Sequence, residues 1–185
     1  MRSALDAFYA IALWLAIICF LLIAILVGLQ VGGRLVDAIL KAVGARPTGF
    51  VILSLSEIAG YLLAAASFMG LAATLKSGVH IRVTMLINNV PLKVRSVLEG
   101  GALLFGAIAS SYATWHLGKY AYASWRFNEV SPGLIPIQLV YPQSAMVVGA
   151  ALLALAFFDE FLITLRTGRP SFSAAEEAIS LGKEV

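Results

Sequence analysis

Four separate apolar runs, each near 20 residues long, constrain this chain more than any other feature of it. A helix rises 1.5 Å per residue, so roughly 20 apolar residues cross a hydrocarbon core about 30 Å thick. The first run extends from Ala7 to Leu29, and the second from Phe50 to Leu75 with one acid, Glu57, inside it. The third extends from Gly100 to Gly118, uncharged apart from His116, and the fourth from Ile137 to Phe158, where Asp159 and Glu160 end it. Water is excluded from the bilayer core, so each segment must satisfy its own backbone N–H and C=O groups, which makes each a helix. Composition excludes a soluble fold: 61% of the 185 residues are hydrophobic and 12% are charged, against about 25% charged in an ordinary globular domain. A domain of this size has too much surface for its volume to hide that much apolar area from water. The expected fold class is an all-α integral membrane protein of four transmembrane helices with short interfacial helices. Residues 1–170 are expected to form one domain and 171–185 a polar cytoplasmic tail.

The first run is longer than the apolar core of a signal peptide, about 7–15 residues, and reads as a retained span. After it, Leu35, Ile39, Leu40 and Val43 fall at helical spacing, Asp37 and Lys41 form an i,i+4 pair, and Gly44 followed by Pro47 is a stop signal. That pattern predicts a short interfacial helix within residues 34–47. The second connection runs from Lys76 to Arg95, with Pro91 placed to open the next helix, and the third from Lys119 to Pro136. With this threading, eight Lys and Arg residues fall on the side of the termini and middle connection, and five on the other. The bias predicts cytoplasmic termini. It also accounts for the net charge of +3 as basic residues at membrane edges, with no nucleic-acid partner implied. Cys19 stands alone, so neither an internal disulfide nor a cysteine metal site is available.

Helices in lipid associate by close approach, which small residues permit. Ala102, Gly106, Ser110, Thr114 and Gly118 recur every four residues in the third run; Ser56, Gly60 and Ala64 do so in the second, and Ala145 and Gly149 in the fourth. Spans two, three and four are therefore expected to pack together, with span one facing lipid or a partner. Two readings stand for Glu57, the one acid inside a span, with Tyr61 a turn beyond it. It is either a proton or cation site, or a structural hydrogen-bonding group near the outer edge. The first would suit a small self-assembling proton-coupled multidrug exporter. His80 and His116 fall on opposite sides of the membrane in this threading, which argues against a bis-histidine haem. No catalytic constellation or cofactor site is recognisable, and neither an internal repeat nor broken helices mark a stand-alone transporter. The expectation is a non-enzyme without a cofactor.

The stretch from Glu57 to Pro91 carries a more specific signal. An acid and a tyrosine early in span two, Glu57 and Tyr61, are followed by Gly70, then His80-Ile81-Arg82-Val83, Leu86 and Pro91. Later, Ser131-Pro132-Gly133-Leu134-Ile135-Pro136 precedes Tyr141-Pro142. This pattern, spread over nearly the whole chain, resembles the small membrane subunit (DctQ-like) of tripartite ATP-independent periplasmic (TRAP) transporters. Thr84 stands where that family often has an acid, and Val90-Pro91 where it has Leu-Pro. The resemblance implies a multi-pass protein of the bacterial inner membrane, bound to a large multi-span permease subunit. It further implies sodium-coupled uptake of organic acids delivered by a periplasmic substrate-binding protein, with this subunit bracing the permease. Glu57, Tyr61, Gly70, His80, Arg82, Pro91, Pro136, Tyr141 and Pro142 are then its family-motif or partner-interface residues. Around residues 80–93 the alternation of apolar and basic side chains would also suit membrane lipids, each basic residue adding on the order of 1 kcal/mol of attraction to anionic headgroups.

Overall fold

The computed structural model describes residues 2–77 and 92–167. The motif residues His80, Arg82 and Pro91 and the polar tail at 171–185 lie outside these ranges. Four helices make up most of the described chain: α1 Arg2–Ala42, α2 Leu55–Lys76, α3 Leu92–Phe127 and α4 Val140–Thr167. All four are long and apolar enough to cross a membrane.

At 41 residues, α1 is about 60 Å long, twice the thickness of a hydrocarbon core. The separate interfacial helix expected at residues 34–47 does not form; these residues prolong α1 to Ala42. Gly32 and Gly33 weaken a helix but leave its hydrogen-bond ladder intact, and the first proline comes only at Pro47. Gly44 ends the helix in the left-handed conformation, φ +75°. Its N–H donates to Lys41 O at 3.2 Å, and the Ala45 N–H to Leu40 O at 2.8 Å, the paired bonds of a Schellman cap. The chain then turns back along α1. The Asp37 carboxylate, expected to face Lys41, accepts instead from the Thr48 N–H and hydroxyl, both at 2.6 Å, and from the Gly49 N–H at 3.0 Å. Gln30 Oε1 accepts from the Ile52 N–H at 2.7 Å. Phe50 lies over Gly33, where a Cβ would stand 2.6 Å from its ring.

Helices α3 and α4 both outrun their apolar runs. Lys119 and Arg126, expected in a connection, are helical residues of α3. Asp159 and Glu160 do not stop α4, which continues to Thr167. A charge ends a membrane helix only if water is the sole place to put it, and here Asp159 has Lys76 at 3.4 Å while Glu160 is fully buried. The twelve residues between α3 and α4 form a compact turn pinned by Ser131, whose N–H donates to Ile137 O at 2.8 Å and whose Oγ accepts from the Ile137 N–H at 3.2 Å.

The spans stand side by side in the order α1, α2, α4, α3, each packing chiefly on its neighbour in that row. Spans two, three and four pack together through α4, which lies between α2 and α3, and α1 packs on α2. Two close approaches set this order. A Cβ at Gly149 of α4 would collide with the backbone of Phe68 and Met69 in α2, and one at Gly106 of α3 would stand 2.7 Å from the Phe157 ring of α4. The buried face of α2 carries Ala65, Ala66, Ala72 and Leu75, whereas Gly60 is open, with nothing within 4 Å of a Cβ placed there. Spacing marks where a helix can be approached closely; the partner's shape decides which face is used. A core cluster gathers Tyr9, Ala72, Leu75 and Ala156, flanked by Leu5, Leu152, Leu153 and Phe157.

Gly149→Leu is expected to separate α2 from α4, at an overpacking cost of about 1–3 kcal/mol or more because backbone cannot yield. Gly60→Leu should be tolerated. Comparing monodisperse yield and thermal unfolding of the two variants in detergent checks this, and equal behaviour would show that the crossing is not tight.

Candidate functional site

The two motif segments meet at the end of the row where α2 begins. Ser54 and Glu57 hold the Ncap and N3 positions of α2, the spacing of a capping box. The box is not closed, because Ser54 makes no side-chain cap and sits in the left-handed region at φ 55°. Its Oγ instead accepts from the Ile135 N–H of the α3–α4 turn at 3.1 Å. Glu57 Oε1 accepts from the Tyr61 hydroxyl at 3.0 Å, as their placement one turn apart allows. Glu57 Oε2 is buried without a hydrogen-bond partner beneath Gly133, where a Cβ would overlap it. Only glycine lets the turn lie this close. The carboxylate also sits in the first turn of α2, where the partial positive charge of the helix N-terminus favours an anion.

Beside this contact is an open cleft of about 800 Å³, lined by Gln30 and Arg34 of α1, Ile52 and Ser54, Glu57, and Gly133 and Leu134 of the turn. The sequence offers Glu57 no in-span basic partner, yet the fold brings Arg34 to the same cleft because α1 extends beyond its apolar run. No salt bridge joins the two among the described residues. The arrangement can tie three elements together and present one cation and one carboxylate at the mouth of the row.

The other anticipated residues are dispersed. Gly70 is half-buried in α2 with nothing within 4 Å of a Cβ. Pro136 and Tyr141 are exposed, Tyr141 to 66%, and Pro142 falls in the first turn of α4, where a missing N–H leaves no bond unmade. Along the small-residue stripe of α3, Ala102 is exposed, Ser110 is buried and Gly106 and Thr114 are half-buried, while Ala64 of α2 is half-buried. The Ser110 and Thr114 hydroxyls bond back to Gly106 O at 2.6 Å and Ser110 O at 2.8 Å within α3, so they add no cross-helix hydrogen bond.

A second polar cluster, at the opposite end, escaped the sequence reading. Lys76 at the end of α2 lies 3.0 Å from Asp6 of α1 and 3.4 Å from Asp159 of α4, with its ammonium 4.6 Å from the centre of the Tyr9 ring. Glu160, next to Asp159 in sequence, is fully buried, and Glu99 of α3 is 3% exposed. The signal that could have found the ion cluster is parity. Asp6 precedes the first run while Lys76 and Asp159 follow the second and fourth, so each pair is separated by an even number of crossings and all three share one membrane face.

Among the described residues, the flanks of the row are largely exposed. On α1, Phe8, Ile11, Trp14, Ile18 and Ile25 are exposed, and on α3 Phe105, Ile108, Tyr112 and Trp115 form one outward stripe at helical spacing.

Residues 38–167 match the family model described as Tripartite ATP-independent periplasmic transporters, DctQ component. The matched stretch takes in both motif segments and all of α2, α3 and α4, and leaves out most of α1. Curated proteins yield no match. With most of its length under that model, its motif segments joined at one end and four helices fit to span a bilayer, the chain belongs to the DctQ component family of tripartite ATP-independent periplasmic transporters, as a multi-pass protein of the inner membrane.

Proposed function

We propose that this chain is the small transmembrane subunit that braces the large permease of a sodium-coupled, binding-protein-dependent transporter of organic acids, and carries no substrate itself. The row order α1–α2–α4–α3 is the observation that supports it. A transport pathway through helices needs a ring or two opposed bundles around a central site, and helices in a row enclose neither. A row does offer two long faces, which suits a static brace that widens the membrane footprint of a moving partner. The termini and the Lys76 cluster are then cytoplasmic, as the Lys and Arg distribution favours. The Glu57–Gly133 end and its Arg34 cleft face the periplasm, where the binding protein arrives.

On this reading Glu57 is a structural group packed beneath the α3–α4 turn, beside the hydrogen bond that Ser54 accepts from Ile135, and not a proton carrier. The motif residues Glu57, Tyr61, Pro136, Tyr141 and Pro142 then form or support the partner interface, along with Gly70, His80, Arg82 and Pro91.

An affinity-tagged copy expressed with its natural partners should co-purify with a large multi-span membrane protein. The chain alone in sodium-loaded or proton-loaded liposomes should move no organic acid or cationic drug. Coupled flux by the isolated chain would sink the accessory role and revive the exporter. Glu57→Gln alters and Tyr61→Phe removes the Tyr61–Glu57 hydrogen bond, a net contribution of about 0.5–1.5 kcal/mol. Both should lower the amount of chain recovered with the permease, with uptake falling in proportion. Full recovery combined with abolished proton-coupled flux in Glu57→Gln would instead mark a transported proton.

A further inference from the structure

The outer surface between α3 and α4 holds a groove of about 770 Å³ that no motif explains. Its floor is small: Ser111, Thr114 and Gly118 from α3, with Ala151 and Ala154 from α4. Trp115, Tyr122 and Leu155 wall it, and among the described residues Lys119 is the one charged residue in its lining. We propose that this groove is a binding site for one glycerophospholipid, an acyl chain lying on the small-residue floor and the phosphodiester on the Lys119 ammonium.

Length is the first argument. From Ser111 to Tyr122 the groove runs eleven residues along α3, about 16 Å, close to half of a 30 Å hydrocarbon core and so to one leaflet. Depth is the second. Trp115, Tyr120, Tyr122 and Trp125 are exposed around Lys119, the amphipathic rings expected at headgroup level. The groove descends from there toward the middle of the row, where Phe157 closes over Gly106.

Charge is the third. Among the described residues no carboxylate forms a salt bridge with Lys119, and its position near the end of the groove lets a flexible four-carbon stem lift the ammonium to the phosphate plane. A transmembrane helix of a partner would meet a small-residue floor equally well, but would place a buried lysine against its apolar side chains. A lipid gives that charge a partner, and its chain replaces contacts that a too-narrow void would forfeit.

The full chain, purified in mild detergent with its partner subunits where they co-purify, can be delipidated and titrated with phosphatidylglycerol by native mass spectrometry. One phospholipid should bind per chain, with diacylglycerol of the same acyl length held at least about five-fold more weakly. That factor corresponds to about 1 kcal/mol for one basic residue near the headgroups. Lys119→Gln should lose the same factor and Lys119→Arg should restore it. Gly118→Phe, which fills the floor, should abolish the site, and Ala154→Leu provides a milder block if Gly118→Phe folds poorly. Equal binding of the two lipids, or unchanged binding in Lys119→Gln, would overturn the proposal. So would a photo-crosslinker at position 118 that captures a partner helix and no lipid. None of these outcomes depends on whether the chain braces a permease, because every residue of the groove belongs to this chain.

Discussion

Close approach of α4 to its two neighbours organises everything else in this protein. In water, helices are driven together by the release of apolar surface, but lipid tails are as apolar as leucine and provide no such force. What remains is contact at short range. Gly149 lets the α2 backbone at Phe68 and Met69 lie directly on α4, and Gly106 admits the Phe157 ring on the other side. Because both contacts belong to α4, this helix lies between α2 and α3 although it follows both in the chain. Among the described residues α1 then packs chiefly upon α2, with Tyr9 reaching the core at Ala156 of α4, and α3 packs chiefly upon α4.

Packing of this kind holds the helices side by side but does little to resist sliding, since small residues present a smooth face. The polar clusters at the two ends supply register. At one end a single ammonium, Lys76, is shared between carboxylates from the first and last helices. At the other, Ser54 Oγ takes a backbone N–H from the turn before α4, and Gly133 closes over Glu57. Ion pairs fully exposed to water would contribute little. Here Lys76 and Asp159 are mostly shielded, with side chains 23% and 20% exposed, so a sliding motion would strand a charge in a poorly solvating place. The longer α1 arm is held differently, by its own returning chain through Asp37 and Gln30.

How far these features can be read from sequence depends on whether they are local. The four spans were legible because each is a property of a contiguous run, and Gly44 was legible as a stop because a left-handed cap favours glycine within a few residues of the helix it ends. Glu57 and Tyr61 could be paired by spacing alone. The row order was not legible: small residues recur on several faces, and the open face at Gly60 looks in sequence just like the used face at Gly149. Asp159 and Glu160 misled for a related reason. A charge after an apolar run ends a helix when nothing meets it, and what meets Asp159 is 83 positions away, on a helix whose placement the run does not reveal. The turn at Gly133 is the intermediate case. Its residues stand out as a motif, but that the glycine is needed to admit a carboxylate follows only once α2 is beside it.

A row of four helices has consequences for its surroundings that a closed bundle would not have. A bundle buries its cross-contacts inside and turns a uniform surface to lipid, whereas a row exposes two long faces and the clefts between neighbours. Those clefts differ in chemistry here. The one at the Glu57 end carries an arginine, a glutamine and a carboxylate among apolar walls, chemistry suited to a water-facing protein partner. The one between α3 and α4 is almost wholly apolar with a lone lysine near its end, chemistry suited to a lipid. On the proposed role, the chain must grip the permease without becoming part of its moving pathway. Arranging the spans side by side gives the proposed brace distinct surfaces to offer an aqueous partner, a lipid and the permease.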